Sequence, residues 1–204
     1  MQLDLSQLSG PAAYHTLIQT LIPRPIAWVL TENDNASYNL APFSYFSLAS
    51  FAPPLLTLSI GPKKAGAPMK DTYVNIIERR EFVCHIADQS LVTQLNESAR
   101  ERAYGESEVT AAGLDLAPLE GFRLPRLASA RLAFACELHQ EVVLEGSLNR
   151  LLIGRITHLW LDDAITGEDG QGRLTIDAKA LNPLARLGGG DYSLLGETIT
   201  LARP

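Results

Sequence analysis

The chain has 204 residues, 46% of them apolar and 20% charged, and a formal net charge of −6. That length fits one domain with a sizeable core, and an acidic chain with no Lys/Arg block lacks the clustered cations that nucleic-acid binders need. No apolar run approaches the roughly 18 residues of a spanning helix, and the N-terminal Met1-Gln2-Leu3-Asp4-Leu5 has neither a basic flank nor a signal-like apolar core, so a cytoplasmic protein with no membrane or nucleic-acid partner is expected.

Along the chain, Tyr14, Leu17, Ile18 and Leu21 recur at helical spacing and predict a helix over residues 10–21, ended by Pro23 and Pro25 with Arg24 extended between them. Ile26 to Thr31 and Ser37 to Ala41 read as two strands of a hairpin around the turn residues 32–35. Pro53-Pro54 bounds a strand from Leu55 to Ile60, apolar enough to be expected buried on both faces, and residues 61–68 form a loop. A helix is predicted from Asp71, its N-cap, with Tyr73, Ile76 and Ile77 inward and Arg79-Arg80 at the end where the dipole favours cations. Glu81 to Ala87 is a strand, and Asp88 caps a short helix carrying Leu91, Val92 and Leu95. After an irregular, charged stretch over 100–128, Leu132, Phe134, Cys136 and Leu138 alternate with small or polar residues, the period of a half-buried strand. A turn at 145–147 leads to a second long strand, Arg150 to Leu161. Cys84 and Cys136 lie far apart inside apolar runs and read as small buried hydrophobes. Many strands and few helices make the chain mainly β with peripheral α: a small closed antiparallel barrel with helices outside.

Two stretches point to a flavin. Asn39-Leu40-Ala41-Pro42-Phe43-Ser44-Tyr45-Phe46 is uncharged, broken by a proline, and gathers three aromatics around one hydroxyl. As a loop it suits a flat ring with a polar edge; as a strand end its aromatics would simply fill the core. Lys70-Asp71-Thr72 offers a cation, a hydroxyl and the amides of a helix start, which suit a phosphate. Asp71 would repel that phosphate, so its expected role is capping; the alternative is an ordinary capped surface helix. Arg24 is a second candidate cation, or a surface arginine. Gly188-Gly189-Gly190 before Tyr192 could bring that tyrosine to the ligand or to a second subunit, or form only a flexible turn. There is no G-x-S-x-G elbow, no P-loop and no histidine pair at metal spacing among His15, His85, His139 and His158. No catalytic acid, base or nucleophile is therefore expected from the chain, and no metal. A flavin that carries the chemistry itself is consistent with that.

The order of these pieces resembles the flavin reductase-like family of FMN-binding split barrels, its flavoredoxin-like branch in particular. The likeness runs from about Ile22 to Glu197. It is carried by Pro23-Arg24-Pro25-Ile26-Ala27, the Asn39 to Phe46 stretch, Pro53-Pro54 with Ser59-Ile60-Gly61, Lys70-Asp71-Thr72 with Asn75, Glu81-Phe82-Val83, and Ala185-Arg186-Leu187-Gly188-Gly189 before Tyr192. The resemblance implies one domain over 1–204, with 1–22 a helical extension on a Greek-key-like antiparallel split barrel. It implies a homodimer with FMN (or FAD) near the subunit interface. Asn39 to Phe46 would line the ring and ribityl chain, and Ser59 to Gly61 with Lys70 to Thr72 would complete the ribityl and phosphate pocket. Members pass hydride from NADH or NADPH to flavin, or relay electrons through bound FMN, and some serve a separate oxygenase. Three readings follow: a flavin reductase, an FMN electron carrier without nicotinamide turnover and with an electron-transfer protein partner, and a structural barrel without cofactor.

Overall fold

The computed structural model describes residues 1–63 and 67–202. The expected loop over 61–68 therefore falls partly outside the described residues. Seven antiparallel strands form the main sheet: β1 (Ala27–Glu32), β2 (Tyr38–Phe43), β3 (Phe46–Phe51), β4 (Pro54–Ile60), β5 (Glu81–His85), β6 (Leu132–Val143) and β7 (Arg150–Leu161). Their order is β2-β1-β5-β6-β7-β4-β3. β5 returns beside β1 after three intervening strands, the long-range return of a Greek key.

That order forces closure. β2 and β3 are the two outer strands, yet only Ser44 and Tyr45 join them. In a flat sheet at about 4.8 Å per strand these edges would stand roughly 29 Å apart. Two residues reach at most about 11 Å. The sheet must curl until its edges meet at this corner, where the Ser59 N–H donates to Tyr45 O at 2.9 Å. The edges are not hydrogen-bonded to each other as a ladder, so the barrel stays split there. The expected loop from Asn39 to Phe46 is thus a strand end, a two-residue corner and the start of another strand.

Two large hydrophobic clusters back the sheet, and a small one of Leu132, Ile165 and Leu181 lies at the start of β6. Inside the barrel, Ala27, Val29 and Phe43 meet Leu56, Leu58 and Ile60 from the far side of the sheet, with Phe82, Cys84, Cys136, Leu138 and Leu152 between. Both thiols are fully buried and unlinked. Outside, Trp28, Leu30, Leu40, Val83, Ala133 and Ala135 pack under Leu91, Leu95, Val109, Leu124 and Leu127. β1 and β5 are therefore covered on both faces, which is why they read as continuous apolar runs. β4 is not: Leu56, Leu58 and Ile60 are buried, while Leu55, Thr57 and Ser59 face outward and half exposed. The alternation of Thr57 and Ser59 with leucines already carried that pattern.

Three helices matter for the site: α1 (Gly10–Thr20), α2 (Asp71–Arg79) and α3 (Val92–Glu97); a single turn, α4 (Glu108–Ala111), lies beyond them. Ser9 caps α1, but the helix buries no residue, and its expected apolar face leaves Tyr14 and Leu17 exposed. α2 corrects a second expectation. The residue before it is Lys70, which makes no side-chain cap, and Asp71 is its first helical residue. A carboxylate in the first turn still meets the positive end of the dipole.

Candidate functional site

A cleft of about 140 Å³ opens where β2, the start of α2 and the segment after α3 converge. One wall is Asn39, Ala41 and Pro42 of β2, a second is Lys70, Asp71 and Thr72, and a third is Ser98 to Arg102, with Lys63 and Glu108 at its margins. Among the described residues, this is where the chain gathers four cationic side chains around one space.

Buried hydrogen bonds fix each wall. Asn39 Nδ2 donates to Thr72 Oγ1 at 2.8 Å and to Thr31 Oγ1 at 3.2 Å, and Asn75 Nδ2 donates to Thr31 Oγ1 at 3.0 Å and Asn33 Oδ1 at 2.9 Å. This network pins α2 across β1 and β2. Because the Thr72 oxygen accepts from Asn39, its own proton is left for another acceptor. The third wall hangs from the core. Trp28 Nε1 donates to Ser98 Oγ at 2.8 Å, and Ser98 Oγ donates to Leu95 O at 2.8 Å. A β1 tryptophan therefore sets where the chain leaves α3 and turns over the cleft.

The charges are arranged unequally. Lys63 pairs with Asp71 at 2.8 Å, which neutralises the carboxylate that would repel a phosphate. Lys70 holds its ammonium 5.4 Å from the Phe43 ring centroid. Burial pushes its pKa down, and the Glu101 carboxylate opposes that. Arg102 gives Nη2 to Glu97 Oε1 at 2.9 Å, but its Nε is buried without a hydrogen-bond partner. The Tyr73 and Val74 N–H groups both donate to Lys70 O, at 2.9 and 3.2 Å, and the amides before them at the start of α2 have no intrahelical acceptor by construction. Cations, a hydroxyl, an unpaired guanidinium N–H and helix-start amides are the donor set of an anion site, and they fit a phosphate monoester.

Among the residues singled out from the sequence, Asn39, Ala41, Pro42, Lys70, Asp71 and Thr72 line the cleft, and Phe43 lies under Lys70. Ser44, Tyr45 and Phe46 continue from the β2 wall around the corner, outside the cleft itself. Arg24 is neither a surface residue nor at the cleft. It is only 5% exposed. Its guanidinium donates to Ser44 Oγ at 3.3 Å, Leu21 O at 2.9 Å, Leu187 O at 2.6 Å and Ile18 O. Ser59 Oγ accepts from Asn149 Nδ2 at 3.0 Å, Ile60 is buried in the barrel, and Gly61 lies so near Asn149 that a Cβ would sit 2.6 Å from its Oδ1. None of these three lines the cleft, contrary to the expectation that they complete its pocket. Tyr192 lines a different groove with Asn96 and Gly190, its ring covered by Arg186 at 4.6 Å.

Lys63, Ser98 to Arg102 and Glu108 were not singled out. The charged run Glu97-Ser98-Ala99-Arg100-Glu101-Arg102 after a capped helix was the available signal. Its partner, Trp28, lies 70 residues away in sequence. Among the described residues there is no cluster of His, Cys, Asp or Glu able to hold a metal, and no helix long and apolar enough to cross a membrane.

Comparison with known proteins agrees with this architecture. A model of the flavin reductase like domain matches residues 19–182. An uncharacterised protein of Halalkalibacterium halodurans is 37% identical over 208 residues, covering 100% of this chain and 97% of its own. Nitrilotriacetate monooxygenase component B of Bacillus cereus is 34% identical, with a TM-score of 0.89 over 98% of both chains. Flavoredoxin of Desulfovibrio vulgaris (Miyazaki F) covers 99% of this chain and 97% of that one, with a TM-score of 0.75 at 20% identity, a likeness of fold alone. With a split antiparallel barrel, this cleft and these matches in hand, the chain belongs to the flavin reductase-like family.

Proposed function

We propose that the protein is an FMN-dependent oxidoreductase of the flavin reductase type, taking hydride from NADH or NADPH. One observation carries the reading: half-buried Lys70, Arg102 with its unpaired Nε, and the start of α2 line one cleft beside the β2 wall. Drug-sized ligands fill roughly 300–1,000 Å³, so a smaller cleft suits the phosphate end of a longer molecule whose ring extends beyond it. Lys70, Thr72 and Arg102 would hold the phosphate, Asn39, Ala41 and Pro42 the chain that follows, and Ser44, Tyr45 and Phe46 the ring. When bound, flavin supplies the two-electron chemistry, accepting hydride and passing electrons on. The chain's part is to orient its ligand, neutralise the phosphate and keep water from the apolar wall.

The reading takes residues 1–204 as one flavin-binding unit, with 1–22 an extension. It includes a homodimer, supported by Tyr14 and Leu17 on α1 and Leu48 and Phe51 on β3, all exposed on this chain. It also includes a separate oxygenase component as user of the reduced flavin, by likeness to the Bacillus cereus component B. The test is an absorbance spectrum of the purified protein, FMN titration, then NADH and NADPH added without air. A flavin spectrum that bleaches with either nucleotide is expected. No FMN binding together with no nucleotide oxidation in the presence of flavin would overturn the reading.

A further inference from the structure

β2 is an end strand of the sheet, and a free strand edge exposes unpaired backbone groups. In an antiparallel ladder the N–H and C=O of one residue point to the same side, and alternate residues point to opposite sides. Leu40 sends its N–H away from β1, so Tyr38, Leu40 and Pro42 all present their backbone to the outer edge. Side chains at the start of α4 meet that edge in order. Ser107 Oγ donates to Tyr38 O at 2.6 Å, and Glu108 Oε2 accepts from the Leu40 N–H at 3.0 Å. Pro42 has no N–H to satisfy. Two consecutive side chains thus replace the neighbouring strand that β2 lacks. Glu108 is 6% exposed and also lines the cleft.

We propose that Glu108, seconded by Ser107, is the positioning residue of the cleft, holding the β2 edge so that Asn39, Ala41 and Pro42 form its ligand-facing wall. This rests on the flavin reading of that cleft. Charge alone argues against a carboxylate here. Burial disfavours the ionised form and Asp71 from α2 adds repulsion, while the Leu40 N–H, the residue's own N–H and, last, Arg102 from the third wall oppose them. A group that works against an incoming phosphate, yet is anchored on a backbone amide, is there for its hydrogen bond.

Two variants separate bond from charge. Glu108→Gln keeps an acceptor for the Leu40 N–H and removes the charge; Glu108→Ala removes both. Riboflavin and FMN affinities are measured on the full chain, with hydrogen exchange at the Leu40 amide. Loss of one buried hydrogen bond predicts about tenfold weaker binding of both flavins by Glu108→Ala. Glu108→Gln should leave riboflavin within about twofold and FMN equal or tighter, because only FMN feels the lost charge. The Leu40 amide should exchange faster in Glu108→Ala and at the wild-type rate in Glu108→Gln. If Glu108→Ala does not fold, Ser107→Ala must weaken both flavins alike, or the proposal fails. It also fails if Glu108→Gln harms riboflavin as much as Glu108→Ala does, or if Leu40 exchange is unchanged in Glu108→Ala. Exchange is read without ligand, so a wild-type protein that binds no flavin sinks the functional reading and leaves the edge clamp separately tested.

Discussion

His85 gives the sharpest test of how the sheet is held together. Its imidazole is fully buried at the end of β5. Nδ1 lies 3.0 Å from Trp28 O, and Nε2 accepts from the Leu127 N–H at 3.0 Å. Trp28 O can only accept and Leu127 N can only donate, so the neutral Nδ1–H tautomer satisfies both. A second proton on Nε2 would face the Leu127 N–H directly. Burial lowers the pKa from 6.5 to about 4; the bond to Trp28 opposes this, and the nearby Arg126 charge adds to it. The unfolded chain therefore takes up this proton first. Stability from the neutral ring is complete above the unfolded pKa and is lost as pH falls from about 6.5 towards 4, with no further loss below. The full span corresponds to roughly 3 kcal/mol, most of which is gone by about pH 4.5. Urea unfolding from about pH 7.5 to 4.5, for wild type and His85→Gln, measures it, the variant removing what paired carboxylates contribute to both. Wild type should lose about 2 kcal/mol more than the variant across that range. Parallel curves, or an NMR titration of His85 near its ordinary value, would refute the buried neutral ring.

Three further outcomes follow from the site and its supports. Lys70→Ala should weaken FMN by roughly 10- to 100-fold and leave riboflavin nearly unchanged, since hydrogen bonds to charged groups contribute about 1.5–3 kcal/mol; equal weakening by isothermal titration would remove Lys70 from the phosphate. Trp28→Phe keeps the ring in the outer cluster but breaks the bond to Ser98, so about 1 kcal/mol of stability and some FMN affinity should go together; unchanged FMN binding would mean that the 98–102 segment is not set by Trp28. Gly154→Ala would put a Cβ 2.5 Å from Phe82 Cζ inside the barrel, an overpacking worth about 1–3 kcal/mol; a melting temperature equal to wild type would show that the ring gives way freely.

What could be read from the residues was the part with local causes. The alternation from Leu132 onward gave β6, and Arg150 to Leu161 emerged with the predicted bounds as β7. β3 was missed because two of its three large apolar residues, Leu48 and Phe51, face outward and only Phe46 packs inward, so no inward stripe marks it as a strand. Arg24 was misplaced because its acceptors come from residues 18, 21 and 187, which no local pattern joins. The Lys-Asp-Thr triplet does line the cleft proposed here, although Asp71 is not the cap expected of it and pairs with Lys63 instead. The third wall was invisible for the same reason as Arg24: its position depends on an indole in another strand.

The Arg24 guanidinium has a consequence for the ends of the chain. Termini of most domains can be trimmed or extended at little cost. Here a single enclosed cation takes its acceptors from the exit of the first helix, from the turn near the far end and from the corner serine. Shortening either end past these acceptors would strand a positive charge away from water, and the damage would be felt first at Ser44, on the corner where the two edges of the sheet meet.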